Sequence, residues 1–108
     1  MSYRKYRAIP TVIDGIRFAS RKEAARYRDL CLLVKVGQIV NLKRQVKFPL
    51  VVNDCHVGNY VADFTYQTAA GETIIEDVKG MRAGVPYTLF TLKKRLLEAT
   101  TGLQVREV

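Results

Sequence analysis

The spacing of hydrophobic and polar residues predicts a hairpin, a helix, three strands, a second helix and a last strand. Alternating residues around Asp14-Gly15 predict the hairpin, because Asp-Gly is a strong signal for a tight turn between strands. Ser20 followed by Glu23 has the spacing of an N-terminal capping box, and Gly37 supplies the stop for the helix that it opens.

The rest of the chain alternates between β-rich segments and short interruptions, followed by a helical pattern. The segments are strands at 44–52, 55–67 and 72–79, turns at 53–54 and 68–71, a loop at 80–86, a helix at 87–100 and a strand at 103–108. This order predicts an α/β (α+β) protein with a mixed sheet flanked by helices, folded as a single domain over 1–108.

Composition and charge narrow the class of partner. The 108 residues are 48% apolar, and their longest apolar runs are far too short to span a bilayer. A structural zinc site needs four ligands, and the chain offers as soft ligands only Cys31, Cys55 and His56. We therefore expect both cysteines to be reduced thiols of a cytoplasmic protein. We expect no membrane segment and no small-molecule cofactor. Lys and Arg number 18 against 10 acids, and this net charge of +8 favours nucleic acid as the partner. A ribosome-associated or membrane-surface protein would carry the same excess.

Glu23 lies on the apolar side of the first predicted helix. At 100° per residue it is in line with Tyr27, Leu30, Cys31 and Val34. One interpretation makes it the acidic member of the capping box. In the other its carboxylate points at the sheet, where burial requires a cation beneath it.

Two acids face each other if the turn between the second and third strands centres on Ala70. Asp63 is then directly opposite Asp77, with Lys79 on the same face as Asp77. Opposed Cβ atoms lie about 4.5–5.5 Å apart, close enough for the carboxylates to share a Mg²⁺ or Mn²⁺ ion. A register slip of one residue would separate them. The alternative is a buried salt-bridge cluster in which Lys79 pairs with both acids.

These residues resemble the PD-(D/E)xK signature of the restriction-endonuclease-like nucleases. Asp63 and Asp77-Val78-Lys79 carry the pattern, with Ala62 in place of its proline. The predicted order also resembles the αβββαβ core of that superfamily, here preceded by a short hairpin. Nearly the whole chain is similar to a family of small phage-encoded proteins in this superfamily, related to endonuclease I-like resolvases of Holliday junctions.

The resemblance implies a function and a site. Asp63, Asp77 and Glu23 would bind Mg²⁺, for which Mn²⁺ could substitute, and Lys79 would assist the attacking water. Gln45 resembles a polar residue that some members place near the site, but we interpret it as an exposed strand residue. Glu76 lies on the opposite face and receives no catalytic role.

Basic residues on several segments are candidates for contacts with DNA phosphates. They are Arg4, Lys5, Arg7, Lys43, Arg44, Lys47, Arg82, Lys93 and Lys94.

The leading hypothesis is a Mg²⁺-dependent DNA endonuclease of phage origin that acts in the host cytoplasm. A specificity for branched junctions rests on analogy with the resolvases alone. One active site per chain means that symmetric cutting would require a homodimer. The alternatives are a non-catalytic nucleic-acid-binding accessory protein that retains the fold, and an RNA-directed protein.

Overall fold

The computed structural model describes residues 10–80 and 84–108. In chain order the elements are β1 (Thr11–Ile13), β2 (Ile16–Phe18), α1 (Arg21–Lys35), β3 (Ile39–Val52), β4 (Cys55–Thr68), β5 (Thr73–Asp77), α2 (Gly84–Thr101) and β6 (Val105–Glu107). Strands β1 and β2 form a separate hairpin, and the other four form a sheet in the order β3-β4-β5-β6. The first two pairings are antiparallel and the last is parallel, so the sheet is mixed, as predicted.

Several element boundaries differ from the prediction: the largest differences are at the starts of β3 and α2, and β5 ends at Asp77, two residues before its predicted end. Strand β3 starts five residues early, because Ile39 is buried directly after α1 and already pairs with Thr68. Helix α2 starts at Gly84, inside the stretch predicted as a loop. Pro86 does not prevent this, since the N–H groups of a first helical turn have no intrahelical partner to lose. Residues 81–83 of that loop lie outside the described part of the chain.

Helix α1 begins as the capping signal predicts, but it contacts the core along a different row. The Ser20 hydroxyl accepts the N–H of Glu23 at 3.1 Å. The apolar contacts run through Ala24, Leu30 and Leu33, whereas Val34 is 41% exposed. The helix therefore packs along the i, i+3 row that continues from Leu30 to Leu33, and Tyr27 also contacts this core, whereas Val34 does not.

Each face of the sheet carries its own hydrophobic core, and β4 contributes to both. Tyr60 and Ala62 belong to the core beneath α2, whereas Phe64 and Tyr66 belong to the core beneath α1. Simple alternation would place all four on one side of the strand. That expectation is wrong, because β4 changes sides at Asp63.

Strand β3 changes sides at the position opposite this point. Leu42 packs with the α1 core and Phe48 with the α2 core. Between them, Gln45 has a left-handed backbone with φ of 50°. The register on either side, Arg44 with Phe64 and then Val46 with Ala62, brings Gln45 opposite Asp63. A left-handed residue rotates the strand about its axis, which explains why both strands exchange faces together.

Neither helix in the described residues has the length and hydropathy needed to cross a bilayer.

Candidate active site

Asp63 and Asp77 lie opposite each other where β5 separates from β4. The paired residues Phe64 and Glu76 confirm the predicted register, and the next step along the strands is Asp63 and Asp77. Beyond this pair the Asp63 side chain takes the place of a backbone acceptor, because its Oδ2 accepts the backbone N–H of Val78 at 2.9 Å.

Lys79 is held next to this acidic pair. Its Nζ lies 3.1 Å from Asp77 Oδ1 and 3.7 Å from the centroid of the Phe90 ring. The backbone at this position is fixed by two contacts, since Lys79 N–H donates to Val108 at 3.2 Å and the Lys22 ammonium donates to the Lys79 carbonyl at 2.6 Å. The predicted neighbours Asp77 and Lys79 are therefore in contact.

Asp77 is buried and its second oxygen contacts Tyr60. The Tyr60 hydroxyl donates to Oδ2, leaving Asp77 3% exposed. Burial raises the pKa of Asp77 to about 6, the Tyr60 hydrogen bond opposes the rise, and the charge of Asp63 adds to it. Burial also raises the pKa of Tyr60, and the adjacent Asp77 raises it further. The sequence interpretation did not include Tyr60, although a hydroxyl among apolar neighbours signals a need for a partner.

Glu23 points at the sheet and is buried, as the second interpretation required. The expected cation is Arg44, whose guanidinium lies 4.0 Å from Glu23 Oε2 and 4.4 Å from the Phe18 ring centroid. Burial raises the pKa of Glu23, and the nearby charges of Asp63 and Asp77 act in the same direction against Arg44. Glu23 therefore belongs to the same electrostatic cluster as the two aspartates.

Gln45 connects Glu23 to the aspartate pair. Its Nε2 lies 3.4 Å from Glu23 Oε2 and 3.2 Å from Asp63 Oδ1. Gln45 is an exposed residue of a strand, as interpreted, but it lies at the site rather than away from it.

A β-bulge in β4 brings Gln45 opposite Asp63. The Asn53-Asp54 turn pairs Val52 with Cys55, and that register would bring Arg44 opposite Asp63. One extra residue of β4 between His56 and Gly58 shifts the register by one, and Gln45 takes the opposite position.

The donor set suits a hard divalent cation at the two aspartates. Carboxylate oxygens are preferred ligands of Mg²⁺, and a bound divalent cation would offset the repulsion between two facing carboxylates. Across residues 10–80 and 84–108, no group of three or more His, Cys, Asp or Glu side chains is arranged to hold a metal ion. Glu23 is separated from Asp63 by the Gln45 amide, so its role as a ligand stays a prediction.

Glu76 lies on the other face, as expected. It is fully buried, and its two carboxylate oxygens accept from Arg26 at 2.7 and 2.6 Å and from the Tyr66 hydroxyl. This buried ion pair joins α1 to the sheet and does not contact the aspartate pair.

Some of the basic residues predicted to contact DNA are accessible, whereas others are paired with acids. Lys43 and Lys47 are exposed, and Lys93 is half-buried beside the site. Arg44 contacts Glu23 as described above, and Lys94 lies 3.2 Å from Glu107. Four further candidates lie outside the described residues: Arg4, Lys5, Arg7 and Arg82.

A protein-family model described as a protein of unknown function (DUF1064) matches residues 3–101 of the chain. No curated protein and no solved structure matches it.

Proposed function

The chain belongs to the DUF1064 family of proteins of unknown function, and we propose that it is a Mg²⁺-dependent endonuclease that hydrolyses phosphodiester bonds in DNA. One observation carries the proposal. Asp63 and Asp77 face each other at the opening between β4 and β5, with the Lys79 ammonium 3.1 Å from Asp77. Two carboxylates and an ammonium provide the charges needed for metal-assisted hydrolysis.

Asp63 and Asp77 would hold the cation. Bound Mg²⁺ would offset the charge that develops on a phosphoryl group under attack, and it would neutralise the two carboxylates. Tyr60 orients Asp77 by donating to Oδ2, and the backbone N–H of Val78 orients Asp63 by donating to its Oδ2. Both carboxylates are thus fixed before substrate binds, which reduces the reorganisation needed during the reaction.

Lys79 would act on the nucleophile. Its ammonium is held between Asp77 and the Phe90 ring, and its remaining N–H groups can orient a water molecule or stabilise charge on a phosphate oxygen. Glu23 supports this arrangement through Gln45, whose amide lies between Glu23 and Asp63, and burial raises the pKa of Glu23. We retain Glu23 as the proposed third acid of the site.

The positive charge of the chain supports a nucleic acid as the substrate, and we propose DNA. The chain has a net charge of +8, and Lys43, Lys47 and Lys93 are accessible for phosphate contacts. We propose a cytoplasmic setting in the host cell, which suits the free cysteines Cys31 and Cys55. Branched junctions belong to the substrates to be tested, and cutting two strands symmetrically would need a homodimer with one site from each chain.

The alternative is a DNA-binding accessory protein without catalysis. The observation that favours it is the occupation of Asp77, because Tyr60 and Lys79 already engage both of its oxygens. In the described residues, moreover, no three-acid metal cluster is formed. Such a protein would bind DNA equally well with and without divalent ions.

The test is cleavage of linear duplex, single-stranded and four-way-junction DNA with Mg²⁺, Mn²⁺ or EDTA. Wild-type protein should cut in either metal and not in EDTA, and Lys79→Ala should lose at least about a hundredfold in rate while DNA affinity falls little. Lys35→Ala, an exposed lysine at the far end of α1, is the matched control and should cut like wild type. Tight binding without cutting of any substrate would favour the accessory protein.

A further inference from the structure

A cleft between α2 and β4 opens directly onto the proposed active site. Its volume is about 300 Å³, and it shares Asp77 and Lys79 with that site. We propose that the cleft holds an unpaired nucleotide of the DNA strand that is cut, so that the enzyme prefers substrates with an unstacked base beside the scissile phosphate. This inference rests on the proposed nuclease function and names its substrate class.

The walls of the cleft are apolar and accessible. Leu89 of α2 is 50% exposed and the neighbouring Pro86 is also exposed, and both lie on the α2 wall, while the segment of β4 from Asn59 to Val61 forms the other wall. Beneath them the rings of Tyr60 and Phe90 pack with centroids 6.1 Å apart. Exposed apolar side chains beside aromatic rings can receive the flat face of a base, and every base offers such a face.

The charges at the rim select a nucleotide rather than an uncharged apolar ligand. Lys79 and Lys93 both line the cleft, so an anionic group bound there would meet two ammonium groups. The phosphate of a nucleotide can contact these cations while its base lies against the apolar walls. The adjacent aspartates are the proposed site of cutting, so the phosphate would lie next to the reacting groups.

A base that is stacked inside a duplex cannot bind in this cleft. Strand β5 pairs with β4 only as far as Phe64, and the cleft begins beyond this point, along the segment that includes Tyr60 and Val61. Inside a duplex both faces of a base are covered by its neighbours, so it cannot present a face to these walls. A nucleotide that is single-stranded, extruded or unpaired at a junction can do so.

The experiment compares the affinity for two labelled DNAs by fluorescence anisotropy in EDTA. One is a fully paired duplex and the other is the same duplex with one unpaired nucleotide. The variants are Leu89→Glu in the cleft and Leu92→Glu as the matched control. Leu92 is on the same helix and 56% exposed, but it does not line the cleft.

Wild type should bind the DNA with the unpaired nucleotide at least about fivefold more tightly than the paired duplex, the lower end of the range for stacking of one base, because the accessible wall is aliphatic. Leu89→Glu should bring this ratio close to one, and Leu92→Glu should preserve it. Pro86→Glu, at a second exposed position of the cleft, should reproduce the loss, which guards against a folding defect in a single variant.

A wild-type ratio near one, or an equal fall in the ratio for the Leu89 and Leu92 variants, would overturn the inference. The ratio is independent of cutting, because EDTA removes the cation. Wild-type cleavage of the two DNAs in Mg²⁺ then tests the nuclease proposal separately, so failure of one is distinguishable from failure of the other.

Discussion

Replacing Asp77 with asparagine should raise the free energy of unfolding at neutral pH when divalent cations are absent. The folded protein raises the pKa of this carboxyl from 3.8 to about 6, mainly by burial and further by the charge of Asp63. Between about pH 4 and 6 the folded protein therefore holds a proton that the unfolded chain has released. The free energy of unfolding consequently falls as the pH rises through this range.

The magnitude follows from the size of the shift. About two pKa units correspond to about 3 kcal/mol of destabilisation once Asp77 is ionised in the folded protein. Asparagine carries no charge and keeps a carbonyl oxygen that can accept the Tyr60 hydroxyl. The attraction of Lys79 is already included in the net shift of the pKa, so we expect an increase of at most about 3 kcal/mol at pH 7.

The assay is urea denaturation in EDTA at a series of pH values for wild type and Asp77→Asn. Near pH 4 the two should differ little, because Asp77 is protonated in the folded protein, and the gap should widen up to pH 7. Asp29→Asn, at an exposed position of α1, is the control and should follow the wild type within about 0.5 kcal/mol.

Mg²⁺ tests the same reasoning from the opposite direction. A cation bound to the folded protein alone stabilises it by mass action, by about 2.7 kcal/mol at a hundred times the dissociation constant. Mg²⁺ should therefore raise the free energy of unfolding of the wild type and leave that of Asp77→Asn nearly unchanged. The difference between the two proteins should become smaller. A gap that does not vary with pH, or a wild type that is more stable than the variant at pH 7, would refute the reasoning.

Three further substitutions test other parts of the structure by chemical denaturation. Glu76→Gln should lower the free energy of unfolding by about 3 kcal/mol, because it leaves the Arg26 guanidinium without its carboxylate; unchanged stability would contradict a buried ion pair. Gln45→Gly should be more stable than Gln45→Ala by about 1 kcal/mol, the reverse of the usual order in a strand, because φ at this position is 50°; the usual order would speak against that conformation. Ser20→Ala should lose about 1 kcal/mol and Ser20→Gly only a few tenths, and equal losses would argue against the cap.

The local pattern of the chain was enough to predict most of the fold. The hairpin, the start of α1, the order of the strands and the mixed sheet depend on short-range signals such as Asp14-Gly15 and Ser20, which act within a few residues. The opposition of Asp63 and Asp77 was also predictable, because a short turn fixes the register of the strands that it joins.

Sequence alone also indicated that Glu23 points inward and needs a cation. Helical periodicity carries that information, since a charged residue in line with an apolar stripe must face the core. The periodicity could not identify Arg44 as the partner, because residues 21 positions apart in the chain meet only when α1 packs on the sheet.

The tertiary structure alone decided which other groups surround the acids. A bulge in β4 brings Gln45 opposite Asp63, and the left-handed backbone at Gln45 lets both strands exchange faces. That exchange directs Tyr60 toward α2 and Asp77, where simple alternation along the strand would have placed it with Phe64. The position of a bulge or a change of face depends on how side chains pack on both sides of the sheet. This packing exists only once both helices lie on the sheet, so no single segment of the sequence contains it.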